Sequence, residues 1–243
     1  DVVSYTQIWK TTMQMTNTAR ATELKLARDE WARVWKNKLI EHKWDIETDL
    51  LFSSKYKDSA GVRYTAGIVD YILSSGNVFS IDLGSSGTTS DDFLQNMSDF
   101  MDPRYNSSNA TMFMCDTATY NWLHKLGGFQ KNDVEISSQF RFDFAVTGKK
   151  KLFGLPVTQI TTPYGDMNVV RNVHLDGSPV RIVAVNLKHV SYRPLVGNGV
   201  NRDTSVYVGV QSLENTGVDR RIDLIQTEAG LEIVMPEAHA VWK

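Results

Sequence analysis

The longest regular pattern of apolar and polar positions lies in residues 23–54. This stretch contains neither glycine nor proline, so no residue in it forces a helix to end. Its apolar stripe consists of Leu24, Ala27, Trp31, Trp35, Leu39, Ile46 and Leu50, at helical spacing. One helix of that length would extend roughly 45 Å. We predict a spine whose stripe packs under a sheet and whose other faces are charged, because tryptophans of this bulk fit a two-stranded coiled coil poorly.

The segment before this helix, residues 2–21, has the composition of an extended strand. It is rich in threonine, and neither of its alternating faces is convincingly apolar. Such a strand is typical of an arm or of the edge of an open hairpin, and Trp9, Met13 and Met15 would then contact something else. An ordinary edge strand of the same domain is the alternative.

The middle of the chain predicts alternating helices and strands. Thr89 or Ser90 is placed to cap a helix that ends before Pro103, and a buried strand at residues 110–115 leads into a helix capped by Asp116 or Thr117. Strands dominate from residue 134 onward, at 139–146, 152–162, 167–171, 180–190, 205–213, 220–227 and 231–234. Lys149, Lys150, Lys151 and several glycines, Gly230 among them, are read as turns. The predicted fold class is α+β.

The composition argues against several classes of protein but does not identify the function. The chain has 243 residues, 26 basic and 28 acidic, with a net charge of -2, so it lacks the overall charge of a nucleic-acid-binding protein. A single cysteine excludes an intrachain disulfide framework. No apolar run is long enough for a membrane helix, and we expect no membrane partner.

The sequence contains no recognisable catalytic, cofactor or metal motif. The nucleophile elbow, the phosphate-binding loops and the zinc-protease motif are absent, and the five histidines have no metal-ligand spacing. Glu41, Asp45 and Asp49 form a row at i, i+4 and i+8 that calls for a basic partner, within the chain or on a neighbour, unless it is a solvated face. Asp116 at a helix start keeps a small hydrolase open as an alternative, although capping also explains it.

Four segments together resemble the major capsid proteins of tailed bacteriophages with the Hong Kong 97-type shell fold. The first is TQIWKTTMQMTNTARA at residues 6–21, which leads into the helical sequence of residues 27–52. The others are RYTAGIVDYI at residues 63–72, LFGLPVTQITTPYGDMNVV at residues 152–170, and DRRIDLIQTEAGLEIVMPEAHAVW at residues 219–242. The resemblance covers most of the chain and contains no catalytic signature.

This resemblance implies a structural subunit and no enzyme. It would form hexamers and pentamers of an icosahedral shell around double-stranded DNA, in a virion assembled in the host cytoplasm, with decoration, portal and scaffolding proteins as further partners. Residues 1–22 would be an extended-loop strand, 23–59 and 191–243 the peripheral domain, and 60–190 the axial domain. The expected subunit contacts are Trp9, Lys10, Met13, Met15, Arg20, Glu41, Asp45 and Asp49. A tail or surface-binding protein of the virion is the alternative oligomer.

Overall fold

A computed structural model describes residues 4–22, 29–84, 87–106, 111–126, 145–152, 155–211 and 217–243. The helices are α1 (Asn17–Ala21), α2 (Glu30–Phe52), α3 (Ile68–Ser75), α4 (Ser90–Phe100), α5 (Pro103–Asn106) and α6 (Thr117–Leu126). The strands are β1 (Gln7–Met15), β2 (Tyr56–Lys57), β3 (Arg63–Tyr64), β4 (Asn77–Phe79), β5 (Thr111–Cys115), β6 (Ala145–Leu152), β7 (Leu155–Thr162), β8 (Gly165–Arg171), β9 (Ile182–Asn186), β10 (Val190–Pro194), β11 (Val196–Gly197), β12 (Val200–Asn201), β13 (Ser205–Gln211), β14 (Arg221–Ile233) and β15 (Ala240–Trp242).

Contacts divide the chain into two units. The first consists of Asp1–Asp70 and Tyr192–Glu232, and the second of Tyr71–Ser191 and Ile233–Lys243. Each unit is therefore built from sequence-distant segments. The predicted α+β class is confirmed, since helices and sheets occur in both units.

The first unit is a four-stranded sheet with the long helix α2 packed against β1. β14 lies inside this sheet and pairs antiparallel with β1, from Gln7↔Ala229 to Met15↔Arg221, and also with β13. The interpretation of residues 2–21 as an arm without a buried side is therefore wrong for β1, which is an edge strand of this unit. Trp9 and Met13 are only 6% and 3% exposed, because they face the helix and sheet of their own chain.

Helix α2 confirms the predicted spine but not the predicted burial of its stripe. It starts after Asp29, whose carboxylate accepts a hydrogen bond from the backbone N–H of Ala32 at 3.0 Å. Among the described stripe residues, Trp31, Trp35, Leu39, Ile46 and Leu50 are only partly buried; Leu24 and Ala27 lie outside the described residues. The fully buried positions of α2 are His42 and Leu51. The helix thus rests on its sheet through a mixed polar and apolar face.

Gly230 does not mark a turn. The two strands predicted on either side of it are one strand, β14, which runs through Gly230 without interruption. A Cβ atom at this position would lie 2.9 Å from the carbonyl oxygen of Tyr5. Glycine is needed here because the backbone of another segment approaches closely. A glycine inside a strand often marks such a close approach.

The second unit contains a seven-stranded mixed sheet in the order β4-β15-β9-β5-β8-β7-β6. Its core is aromatic and includes Phe93 and Phe100 from α4, Phe113 from β5 and Trp242 from β15, all of which are buried. Phe100 packs edge-on against Phe113 and Trp242, with ring centroids 5.9 Å and 5.7 Å away. The last strand of the chain therefore closes the core of this unit.

Both predicted helix starts in this unit are confirmed. Thr89 and Asp92 form a reciprocal capping box at the start of α4, and Asp116 Oδ1 accepts from the backbone N–H of Thr119 at 2.8 Å at the start of α6. The predicted lysine turn is wrong, because Lys149, Lys150 and Lys151 lie inside β6 and pair with β7. Residues 139–144 of the strand predicted at 139–146 fall outside the described residues.

Candidate assembly surface

The three carboxylates in the row on α2 have different surroundings. Asp49 is partly buried, and its Oδ2 accepts hydrogen bonds from Gln7 Nε2 at 2.6 Å and Trp9 Nε1 at 2.7 Å. Glu41 is exposed and pairs with Lys38, one turn away, at 2.7 Å. Asp45 is exposed. The prediction of a basic partner is therefore wrong for Asp49, whose two donors on β1 are neutral. Glu41 does have a basic partner, Lys38, and Asp45 lies at the surface.

His42 lies at the centre of the contact between α2 and the sheet. Its Nδ1 is 2.9 Å from Thr11 Oγ1 of β1, and its Nε2 is 2.8 Å from Thr227 Oγ1 of β14, which is 3.0 Å from Thr204 Oγ1. Burial lowers the pKa of His42, and the charge of Asp45 opposes that shift only partly. A neutral imidazole therefore connects the helix to two strands. Sequence reasoning missed this contact because its members are far apart in the chain.

The other predicted contact residues lie around β1 and α1. Lys10 is exposed on β1, and Met15 at the end of that strand is partly buried. The Arg20 guanidinium is 5.1 Å from the ring centroid of Trp31, on which Arg221 also stacks at 5.0 Å. Arg20 thus has an intramolecular cation–π contact while it remains exposed. Lys10, Met15 and Arg20 stay accessible to a neighbour.

A short hairpin that the sequence did not reveal follows the spine. β2 and β3 pair Tyr56 with Tyr64 and Lys57 with Arg63, and all four residues are exposed. The two tyrosine rings are 6.1 Å apart. The signal in the sequence was weak because each strand has only two residues.

Asp116, the candidate catalytic acid of the hydrolase alternative, is a structural residue. Besides capping α6, its Oδ2 forms an ion pair with Arg181 Nη1 at 2.8 Å, and its side chain is only 4% exposed. The neighbouring Cys115 is fully buried, and desolvation raises the pKa of its thiol. Neither residue is poised to react with a substrate.

No group of three or more metal-ligating side chains was found in the part of the chain that the structure describes. Within the same residues, none of the helices has both the length and the apolar character needed to span a bilayer.

Comparison with known proteins identifies the family. The model of the SU10 major capsid protein family matches residues 2–243. The chain belongs to the SU10 major capsid protein family. It is therefore a structural protein of a viral capsid, and this family indicates a non-enzymatic role. No curated protein sequence matches this capsid protein.

Solved structures show the same fold at low sequence identity. The holo-SrpI encapsulin complex from Synechococcus elongatus PCC 7942 matches with a TM-score of 0.62 and 13% identity, over 98% of this chain and 73% of the encapsulin chain. A protein of Microbacterium phage Oxtober96 matches with a TM-score of 0.58 and 12% identity, over 99% and 73%. The mature capsid of bacteriophage PhiM1 matches with a TM-score of 0.54 and 9% identity, over 100% and 72%. The predicted Hong Kong 97-type fold is confirmed.

Proposed function

We propose that this capsid protein assembles with itself into hexamers and pentamers that close an icosahedral shell around double-stranded DNA. The observation that carries this proposal is the family match over residues 2–243. The fold supports it, because chains as different as a phage capsid and an encapsulin share this architecture. The protein would be part of the virion after assembly in the host cytoplasm.

The two units would correspond to the peripheral and axial domains of a shell subunit. We assign residues 1–22 to an extended-loop strand and residues 23–59 and 191–232 to the peripheral domain. Residues 60–190 are assigned to the axial domain, together with residues 233–243, which the sequence had predicted to be peripheral. The first unit, with α2 and the four-stranded sheet, supports the peripheral assignment, and the seven-stranded sheet supports the axial one. Since β15 belongs to that second sheet, we place residues 233–243 with the axial part.

Subunit contacts are proposed for the predicted residues that remain accessible. These residues are Lys10, Met15, Arg20, Glu41 and Asp45. Trp9, Met13 and Asp49 are used inside the first unit, so we assign them a role in holding β1 and α2 together instead. Permanent interfaces of this kind typically bury about 2,000 Å² or more.

Contact with DNA would be nonspecific. A net charge of -2 gives the isolated subunit no overall attraction for phosphate, so the shell would enclose DNA without reading its sequence. Decoration, portal and scaffolding proteins are further proposed partners, each of which would bind an assembled shell or its precursor.

The proposal is tested by light scattering and negative-stain microscopy on the purified protein over a range of salt concentrations. We expect closed particles or rings with sixfold and fivefold symmetry. A protein that stays monomeric under all of these conditions would contradict self-assembly. A ring of one fixed symmetry that never closes would favour a tail or surface-binding component.

A further inference from the structure

We propose that protonation of His239 in mild acid releases residues 234–239 from the second unit, so that this segment acts as a pH-sensitive latch. The segment, called here the latch segment, lies between β14 and β15 and contains a short 3₁₀ helix at Pro236–Ala238. The inference concerns the second unit alone and does not depend on the proposed assembly.

Both nitrogens of the His239 ring bind backbone groups. The backbone N–H of Asn186, the last residue of β9, donates to Nδ1 at 3.3 Å, and Nε2 lies 3.1 Å from the carbonyl oxygen of Val234. A backbone N–H can only donate and a carbonyl oxygen can only accept, so Nδ1 must be unprotonated and Nε2 must carry the hydrogen. The geometry therefore requires the neutral imidazole with its proton on Nε2.

Protonation of this ring is incompatible with its contacts. A second proton, on Nδ1, would point at the N–H of Asn186, so two donors would face each other, and the ring is 0% exposed. The other buried histidine, His42, differs because its partners are the hydroxyl groups of Thr11 and Thr227, which can donate or accept. Protonated His42 can keep both hydrogen bonds, whereas protonated His239 must lose one.

The charges around the ring do not compensate for this loss. Burial is the largest cause that lowers the pKa of His239; the hydrogen bond to Val234 raises it, and the charge of His189 lowers it again. The other titratable or charged side chains on the surrounding elements are Lys188 beside His189, Glu237 in the latch segment, Tyr71 on α3, and Arg104 with its partner Asp102 beside and on α5. The ring is therefore neutral in the closed segment, and the proton favours the open segment below about pH 6.5.

Few other bonds hold the latch segment. The backbone N–H of Val234 donates to the carbonyl oxygen of His189 at 3.0 Å, and Asn77 Nδ2 donates to the carbonyl oxygen of Glu237 at 2.9 Å. The two bonds of the His239 ring add to these. Loss of one ring bond therefore removes a substantial share of the contacts that keep the segment closed.

The latch segment also contains backbone strain and little apolar burial. Met235 has a φ of 55°, in the left-handed region that a residue with a Cβ atom rarely adopts. Val234 and Met235 are 45% and 39% exposed. Segments with such features open locally at low free energy, so this one is suited to release before the rest of the unit.

The opening should stop at β15. This strand pairs with β4 on one side and with β9 on the other, and its Trp242 lies in the aromatic core. Acid should thus free the latch segment while the seven-stranded sheet stays intact.

Hydrogen exchange followed by mass spectrometry on the complete, unmodified protein tests the inference. Rates are divided by the intrinsic exchange rate at each pH. Opening becomes more favourable by up to about tenfold for each pH unit below about 6.5, since the open segment binds the proton more tightly. We expect protection of residues 234–239 and of the Asn186 amide to fall roughly tenfold between about pH 7 and pH 5. Amides of β5 should keep their protection.

His239→Gln is the decisive variant, because glutamine can accept from Asn186 and donate to Val234 but does not titrate. Its melting at neutral pH should be close to that of the unmodified protein, and protection of the latch segment should no longer depend on pH. His42→Gln is the matched control and should leave the pH dependence of the segment unchanged. His189→Gln removes the opposing charge, so it should weaken the loss of protection without abolishing it.

Three results would overturn the inference. They are protection of the latch segment that does not change with pH in the unmodified protein, a loss that persists in folded His239→Gln, or an equal loss throughout the seven-stranded sheet. If His239→Gln does not fold, nuclear magnetic resonance of the His239 ring in the unmodified protein decides. A ring that stays neutral while the segment loses protection would refute the latch.

Discussion

The two units of this capsid protein are stabilised in different ways. In the second unit, Phe93, Phe100, Phe113 and Trp242 form a closed aromatic core, each at most 1% exposed. In the first unit, the layer between helix and sheet contains His42, Thr227 and other hydrogen-bonded polar groups beside a few apolar side chains. Burial of apolar surface is therefore the main stabilising contribution in one unit, and satisfied polar contacts carry a larger share in the other.

The two units also differ in how many large apolar side chains they expose. The large apolar side chains exposed in the first unit are Ile8, Ile40, Trp44, Tyr56, Val62, Tyr64, Tyr192, Leu195, Val196, Val200, Val206, Tyr207, Val208 and Val218. Those exposed in the second are fewer among the described residues, namely Leu73, Val78, Tyr105, Tyr164, Val173, Val234 and Met235. Among the described residues, the first unit thus exposes more large apolar side chains than the second. The comparison teaches that one unit encloses its apolar side chains in its own core, whereas the other keeps apolar surface that the proposed assembly would cover.

The largest expected effect is on the aromatic core. Trp242→Ala should lower the free energy of unfolding by about 3–5 kcal/mol, because it removes the ring at the centre of the second unit and leaves a cavity. Chemical denaturation of the unassembled subunit measures this change. Trp44→Ala, at a half-exposed position of the first unit, is the comparison variant and should cost less, because only half of its side chain is buried. Similar losses in both variants would contradict the contrast between the units.

Removing one hydrogen-bond acceptor between α2 and β1 should lower the stability of the first unit. Asp49→Ala should cost about 1–3 kcal/mol, because the donors of Gln7 and Trp9 would be left without a partner. Asp49→Asn keeps an acceptor and should cost less, and Asp45→Ala in the same row should be close to neutral. A double-mutant cycle with Trp9→Phe measures the coupling directly. Additive effects in that cycle would mean that the hydrogen bond does not stabilise the unit.

The neutral His42 should make the first unit sensitive to acid. Burial lowers the pKa of His42 in the folded chain, so the unfolded chain binds the proton first as the pH falls below about 6.5. Stability should therefore decrease between about pH 7 and pH 5, and His42→Gln should reduce that decrease. Burial lowers the pKa of His239 in the second unit as well, so His239→Gln serves as the parallel measurement. An unchanged pH profile in His42→Gln would show that His42 does not contribute.

The smallest expected change in stability accompanies a large change in assembly. Asp45→Lys should alter the free energy of unfolding by about 0.5 kcal/mol or less, because the side chain is exposed. Particle yield, measured by sedimentation, should nevertheless fall if Asp45 meets a basic group of a neighbour. Unchanged yield would remove Asp45 from the proposed interface and would leave the acidic row as a solvated face.

Local signals in the sequence predicted the elements whose ends are set by nearby residues. Thr89 with Asp92 and Asp116 with Thr119 cap helices within a few positions, so the starts of α4 and α6 could be read directly. The absence of glycine and proline likewise predicted α2. By contrast, Gly230 was misread, because the reason for that glycine is the backbone of Tyr5, far away in the chain.

The candidate assembly surface was predicted only in part, because its contacts also join segments that are far apart in the chain. The acidic row on α2 could be seen from its spacing, but the sequence could not separate Asp49, which accepts from β1, from Asp45, which faces solvent. The tyrosine hairpin was missed because strands of two residues carry no periodic signal.

The sequence by itself determined the long helix, the α+β class and the resemblance to capsid proteins, since these depend on periodicity, on caps and on the order of segments along the chain. Only the tertiary structure decided that β1 is an edge strand of the first unit, that His42 joins α2 to the sheet, and that Ile40 and Trp44 stay exposed. The physical reason is that burial depends on which distant segment covers a side chain. That choice is made by pairings such as β1 with β14, which no local pattern contains.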